Sequence, residues 1–492
     1  MIRVRTKRVA VAALLGVMLL GAAAAAFLFA HKHKQRARAQ LMRSSAEPGF
    51  RFDRHTNVGS SEGHAPSRSE LSWLKEFTSN IPVLVLRAVR PGPVSGSKSY
   101  SSFVLEVYEP KQEEPTRLTN APVLTVPVGL RLHGMVSRQF PKLSYRLELR
   151  APTGASQAMP LLGLPADADW ILQGPWLDKS LIRNAFSYDL ARAMGCAAMR
   201  TRPCEVFLSD SGQPINEADY IGVYQLTERI ERGPERVNLT KLTPADNAEP
   251  AITGGYILAW DVGAGNYLPT WKSIQVKYPK EPSRAQKVWI DRAFTAFDQA
   301  LKGQDFQDPR KGYAAHIEVD DWVNYILFEE LIFNLDGYVR SFYLTKDRGG
   351  KIRPGPVWDH DLALGHQFPA GTPFTVWWFV RRGPAHDWGG RLMMDPAFAA
   401  RMSRRWTELR QGALSDAQLG ARLDAFAAPL LAGAADRNFE RWKILNVERP
   451  FPKPDDYITI ATASYPEQID ALKTFLRQRA AWMDAQLTAG SP

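Results

Sequence analysis

Asp336, Asp359 and Asp361 are the residues whose types and spacing could do chemistry. Asp336 sits in Asn334-Leu335-Asp336-Gly337, just past a run of apolar residues reaching from Trp322 to Phe333. Ser341 to Lys346 then reads as a strand, Arg348-Gly349-Gly350 as a turn, and Ile352 to Trp358 as the returning strand. Asp359, His360 and Asp361 follow at once. A hairpin brings its open ends together, with paired strands about 4.8 Å apart. Asp336 and Asp359 are therefore expected close together at one end of the hairpin. Converging carboxylates repel unless something positive compensates them. A divalent cation does so, and oxygen ligands suit Mg²⁺ or Mn²⁺.

A buried helix, an acid, a hairpin and a second acid also form the order used in phosphoryl transfer, where one acid orients the attacking hydroxyl and the other holds a metal on the phosphates. That chemistry needs positive charge on the phosphates as well. Lys142 to Arg150 alternates, with Leu143, Tyr145, Leu147 and Leu149 on one face and Lys142, Arg146 and Arg150 among the polar residues opposite. Lys142 and Arg146 lie about 13 Å apart along such a strand, so one of them reaches a given phosphate. The turn His133-Gly134-Met135-Val136-Ser137-Arg138 precedes them and could lie over a nucleotide. An ordinary hairpin with a solvated basic face reads equally well from these residues alone.

The positioning elements divide the chain. Strands are expected at 127–133, 142–150, 205–209, 222–226 and 255–260, with one helix from Lys179 to Met194 capped by Asp178 and ended by Gly195. Helices are expected near 284–302, 319–334, 396–412, 415–432, 436–444 and 466–487. The helix at 319 is apolar almost all round and so buried. This is an α+β plan: a strand-rich half at about 80–265 and a mainly helical half at 266–487, with a cleft between them.

Upstream, Val9 to Ala30 is an uncharged run of 22 residues, long enough to cross a bilayer of about 30 Å. An uncleaved transmembrane anchor is expected at 9–30, after a basic flank at 1–8 and before a polar linker at 31–79; a signal peptide is the competing reading. Residues 1–43 hold nine of the 62 Lys and Arg and no acid, which leaves 53 bases against 51 acids elsewhere. The net charge of +11 thus belongs to the N-terminal arm and fits a membrane flank. A nucleic-acid role wants charge spread over a folded face and is set aside. The two cysteines, Cys196 and Cys204, make no disulfide framework.

Five stretches, taken together and in order, resemble the CotH kinase family: Leu130 to Leu147, Asp169-Trp-Ile-Leu with Asp178 to Asn184, Gly222 to Ile230, Gly254-Gly-Tyr-Ile-Leu, and Asn334-Leu-Asp through Pro356-Val-Trp-Asp-His-Asp-Leu-Ala-Leu-Gly. The resemblance implies an atypical, two-lobed protein-kinase-like fold and ATP-dependent phosphorylation of protein serine, with spore coat proteins as substrates in spore formers. It implies that Asp336 is the catalytic acid, Asp359 the metal-binding acid and Lys142 the phosphate-contacting lysine. Asp361 becomes a second metal ligand or a structural support, and Glu228 a residue lining the cleft. The cofactors implied are ATP and Mg²⁺ or Mn²⁺, and the partners a nucleotide and a protein substrate. Three departures stand out. Met135 and Val136 replace polar residues after Gly134 and leave Ser137 as the hydroxyl. Ser341 stands where kinase loops carry an Asn metal ligand. His360 replaces an apolar aromatic between the acids. These departures keep a second class open: a non-catalytic, membrane-tethered pseudokinase serving binding or envelope assembly.

Overall fold

The structure, a computed structural model, describes residues 73–111, 114–260, 274–338, 340–367, 371–379, 384–450 and 458–488. The expected anchor at 9–30, its basic flank at 1–8 and the linker as far as residue 72 lie outside the described residues; residues 73–79, expected as linker, instead carry a helical turn and the strand Thr78–Ser79, with Phe77 buried. Among the described residues, no helix is long and apolar enough to cross a membrane.

Seven strands close a barrel: β1 (Val83–Ala88), β2 (Ser101–Tyr108), β3 (Leu124–His133), β4 (Ser144–Leu149), β5 (Asp169–Gln173), β6 (Thr201–Ser209) and β7 (Tyr220–Glu228). All neighbours run antiparallel except β6 and β1, whose parallel pairing closes the ring. Period-2 alternation decides which side chains go in. Phe103, Leu105, Val128, Leu130, Tyr145, Leu147, Trp170, Leu172, Tyr224 and Leu226 fill the interior. β4 begins only at Ser144, so Lys142 lies in the bend before it, outside the alternation expected of 142–150.

The register lines up Arg131, Arg146, Ile171 and Thr227 across β3, β4, β5 and β7. This row lies on the outer, polar face of the sheet. The helix α1 (Arg183–Ala193) packs beside that face, its Phe186, Tyr188 and Leu190 sunk in the core of the helical half. It starts four residues later than expected, because Asp178 closes a turn ahead of it. Asp178 Oδ1 accepts from Ser180 N at 2.9 Å and Asp178 Oδ2 from Arg183 N at 2.8 Å.

The helical half holds α2 (Arg284–Lys302), α3 (Val319–Ile332), α4 (Pro384–Met393), α5 (Pro396–Arg410), α6 (Asp416–Leu431), α7 (Ala434–Arg441) and α8 (Tyr465–Thr488). α3 is buried along most of its length, as its all-round apolar surface requires. The acidic hairpin forms from β10 (Phe342–Lys346) and β11 (Ile352–Pro354), although the returning strand, expected as far as Trp358, ends at Pro354. It is not isolated: β8 (Tyr256–Trp260) and β9 (Ile274–Tyr278) extend it into a four-stranded sheet. Trp378 and Phe379 are core residues, and Cys196 and Cys204 are free thiols.

Candidate active site

The end of α3 aims the first acid. Phe333 takes a left-handed backbone (φ 50°) that stops the helix. Asn334 Oδ1 then accepts from Asp336 N at 3.2 Å, and Asp336 O accepts from Arg340 N at 3.0 Å. The Asp336 side chain is 16% exposed and lies 3.6 Å from the Arg340 guanidinium.

The hairpin returns the chain to the same place. Ser341 Oγ donates to Asp359 Oδ2 at 3.1 Å, so the two ends of the hairpin meet at the second acid. α1 fixes the far side. Asp359 N donates to the Tyr188 hydroxyl at 3.1 Å, and His360 N to Asn184 Oδ1 at 2.7 Å. Asn184 and Tyr188 are four apart and share one helix face. Trp358 stacks on Tyr188 with ring centres 5.8 Å apart. Seven non-glycine residues have left-handed backbone among those described, and five of them (Phe333, Tyr338, Ser341, Asp359, Leu364) fall in this one stretch. Such conformations cost about 1–3 kcal/mol each and gather where function demands a particular geometry.

Asp361 completes the acidic centre. Its carboxyl is enclosed although the residue keeps some surface. Burial, then Asp359, Asp336 and Asp178, push it well above the ordinary carboxylate range, and Arg183 pulls the other way. Asp336, Asp359 and Asp361 are thus close enough for their charges to act on one another. Arg183 is fully buried and holds the turn beyond: it donates to Asp178 Oδ1 at 2.7 Å, Ala363 O at 2.9 Å and Leu364 O at 3.3 Å.

Among the described residues, no three His, Cys, Asp or Glu side chains form a metal-holding cluster by themselves. One or two carboxylates completed by substrate phosphates and water is the usual Mg²⁺ arrangement. The mutual repulsion at Asp361 is the feature a cation would relieve, and the donors are all oxygen. Asp359, Asp361 and Ser341 therefore fit the group.

A pH dependence follows. Burial and the neighbouring acids favour the protonated form of Asp361 without metal, and a cation must displace that proton. Mn²⁺ affinity is therefore expected to rise with pH, with proton release on binding, as calorimetry in buffers of different ionisation heat can measure. The sign for folding is opposite. A carboxyl whose folded value is raised binds more protons folded than unfolded, so metal-free stability falls as pH climbs above about 4. Asp361→Asn is expected to stabilise the metal-free chain at pH 8 by about 1 kcal/mol or more, read by denaturant unfolding.

The arginine row lies on the outer face of β3 and β4. Arg131 and Arg146 face each other across β3 and β4, and no carboxylate pairs with either among the described residues. Arg146 Nε donates to His133 Nδ1 at 3.4 Å. Burial, then Arg146, Arg131, Arg229 and Arg138, push His133 down to about 3, so it stays neutral and accepts that bond. Uncompensated arginines on one face are an anion site in waiting. Gln173 links this face to the acids: its Oε1 accepts from Thr227 Oγ1 at 3.1 Å, and its amide bonds the Tyr188 hydroxyl.

Gly134, at the lip of this face, has φ 84°, and a Cβ there would stand 1.8 Å from Ser137 Oγ, so only glycine fits. Ser137 Oγ lies 3.5 Å from His133 O. Met135 and Val136 are 70% and 45% exposed. Lys142 sits elsewhere. It is 1% exposed, its ammonium donates to Asn438 Oδ1 at 2.6 Å, and burial holds its pKa well below the usual lysine value. Glu228 is also committed within the fold: it accepts from Arg200 N and Nε at 2.8 and 2.7 Å and pairs with Arg236 at 2.5 Å. The structure thus gathers Asp336, Asp359, Asp361 and Ser341, sets Arg146 with Gly134 and Ser137 along the basic face, and uses Lys142 and Glu228 as buried braces.

Sequence reasoning passed over Arg131, Gln173, Asn184 and Tyr188. Arg131 was visible as a polar position of an alternating strand. Asn184 closes one of the stretches that carry the family resemblance, but neither it nor Tyr188 showed what it holds, because that lies 170 or more residues away.

Fold and site define an α+β protein with arginines on one face of its barrel and an acidic hairpin held by a buried helix. The family model for the CotH kinase protein matches residues 130–483. The chain belongs to that family, one of atypical kinases. No curated protein matches it.

Proposed function

We propose that this chain transfers the γ-phosphoryl group of ATP to a hydroxyl, that of serine or threonine in a protein at the cell envelope, on a chain tethered by its apolar run at 9–30. The observation that carries this reading is the return of Asp359 to the neighbourhood of Asp336; Arg131 and Arg146, which pair with no carboxylate among the described residues, support it from the barrel face. Asp359 and Asp361 would hold a divalent metal, which would neutralise charge on the phosphates. Arg146 and Arg131 hold phosphate oxygens as bidentate donors. Ser341 orients the Asp359 carboxylate. Asp336 accepts the acceptor's proton as its oxygen bonds phosphorus; the bond from phosphorus to the bridging oxygen breaks, and ADP leaves with the electron pair.

The test is labelled ATP with Mg²⁺ or Mn²⁺ on the full chain, extracted from membranes with detergent. Label on protein serine or threonine is expected. Arg146→Ala is expected to raise KM for ATP about tenfold with a smaller change in kcat, as loss of about 1.4 kcal/mol of phosphate binding requires. No label with either metal, and no thermal shift at millimolar nucleotide, overturns the kinase reading in favour of a non-catalytic protein. A full chain found in the soluble fraction at high salt overturns the tether.

A further inference from the structure

α3 ends in two adjacent buried glutamates used in opposite ways. Glu330 is fully engaged: Arg479 pairs with it at 2.9 Å, and the Trp378 and Phe379 amides donate to it at 2.7 Å each. It pins the 374–379 segment to the core. Glu329, 2% exposed, pairs with no arginine or lysine among the described residues, and the Tyr325 hydroxyl one turn earlier hydrogen-bonds it. Its only imidazole neighbour among the described residues is His360, whose Nε2 lies 3.4 Å from Oε1. Its Oε2 has no hydrogen-bond partner there, and neither do the two imidazole nitrogens apart from this contact.

A buried carboxylate so thinly compensated is costly, by several kcal/mol if unpaired. Its position says what it does. On one side it meets His360, which is fully buried edge-on between Tyr188 and Phe328, ring centres 5.5 and 5.3 Å away. His360 directly follows Asp359. On the other side lies Gly337, which directly follows Asp336, and a Cβ on Gly337 would stand 2.9 Å from Glu329 Oε2. One side chain therefore abuts both acid-bearing turns. The chain also carries an imidazole in the slot between Asp359 and Asp361, and that imidazole is what Glu329 can hold.

We propose that Glu329 and His360 form a buried strut that sets the separation of Asp336 and Asp359, and through it the affinity of the acidic centre for a divalent cation. Both are positioning residues: neither touches the cation or a phosphate. The inference rests on the metal-dependent reading above. Removing partners that orient metal ligands typically weakens binding 10–100-fold.

The experiment is Mn²⁺ titration of the full chain by calorimetry, with thermal unfolding of each variant recorded alongside. Glu329→Ala is expected to weaken Mn²⁺ at least tenfold while unfolding stays cooperative. Glu329→Gln keeps the reach and an acceptor oxygen for His360 and is expected to stay within about threefold of the unaltered chain. Where Glu329→Ala does not fold, Glu329→Leu, close in volume to the native side chain, carries the same expectation. Asp359→Ala serves as the control that must abolish binding. A lowered Tm with unchanged Mn²⁺ affinity in Glu329→Ala or Glu329→Leu overturns the strut and leaves the kinase reading standing. An unaltered chain that binds no Mn²⁺ overturns both.

Discussion

Asp359→Ala is expected to lower phosphoryl transfer by at least a thousandfold while the chain stays folded. The side chain is half-buried, and the Ser341 hydroxyl that donates to it is itself near enough to the surface to rebond with water. The backbone contacts that fix the turn, Asp359 N to Tyr188 and His360 N to Asn184, do not depend on the carboxylate. Loss of the metal's main anchor removes stabilisation present chiefly in the transition state, and each 1.36 kcal/mol so lost is about tenfold in rate. Labelled-ATP incorporation against the unaltered chain, with thermal unfolding as the control for folding, makes the comparison. Equal incorporation by both would reject Asp359 as the metal-binding acid. Its Tm without metal is expected to hold or rise, because one of the charges crowding Asp361 is gone.

The second large effect concerns stability. Arg183→Met is expected to destabilise the chain by about 3–5 kcal/mol, since it strands Asp178 as an uncompensated buried charge. It also removes the donor to the Ala363 and Leu364 carbonyls, which close the turn after Asp361. Denaturant unfolding measures the loss. Pairing it with Asp178→Asn removes both charges while keeping an acceptor for the backbone amides of residues 180 and 183, and deleting both charges of a buried pair is often close to neutral for stability. The double variant is therefore expected to recover most of the stability and little of the phosphoryl transfer. Full recovery of both would reduce Asp178 and Arg183 to fold support with no hold on the acidic turn.

The arrangement of acids was largely legible in the sequence, because a hairpin is a local object. Ser341 to Trp358 declares its turn at Arg348-Gly349-Gly350, and strand pairing does the rest. α3 was legible for a similar reason: a helix apolar on every side has nowhere to go but inside. The basic side was only half legible. Alternation placed Arg146 on the polar face, and the same rule, carried two residues too far upstream, set Lys142 beside it. The strand starts at Ser144, and the bend before it turns Lys142 toward Asn438.

What the sequence by itself determined is what depends on near neighbours in the chain: the α+β division, the buried helix, the hairpin and the meeting of its two ends. The tertiary structure alone decided that seven strands close into a barrel through one parallel pair, that α1 lies between barrel and helices, and that Asn184 and Tyr188 hold the acidic turn. It also decided which charges would be spent inside the fold, as Lys142 and Glu228 are, and which would stand on the barrel's outer face, as Arg131 and Arg146 do. The physical reason is that a side chain's charge is written in its own residue, whereas its partner and its burial are set by residues far off in the chain that only packing brings near.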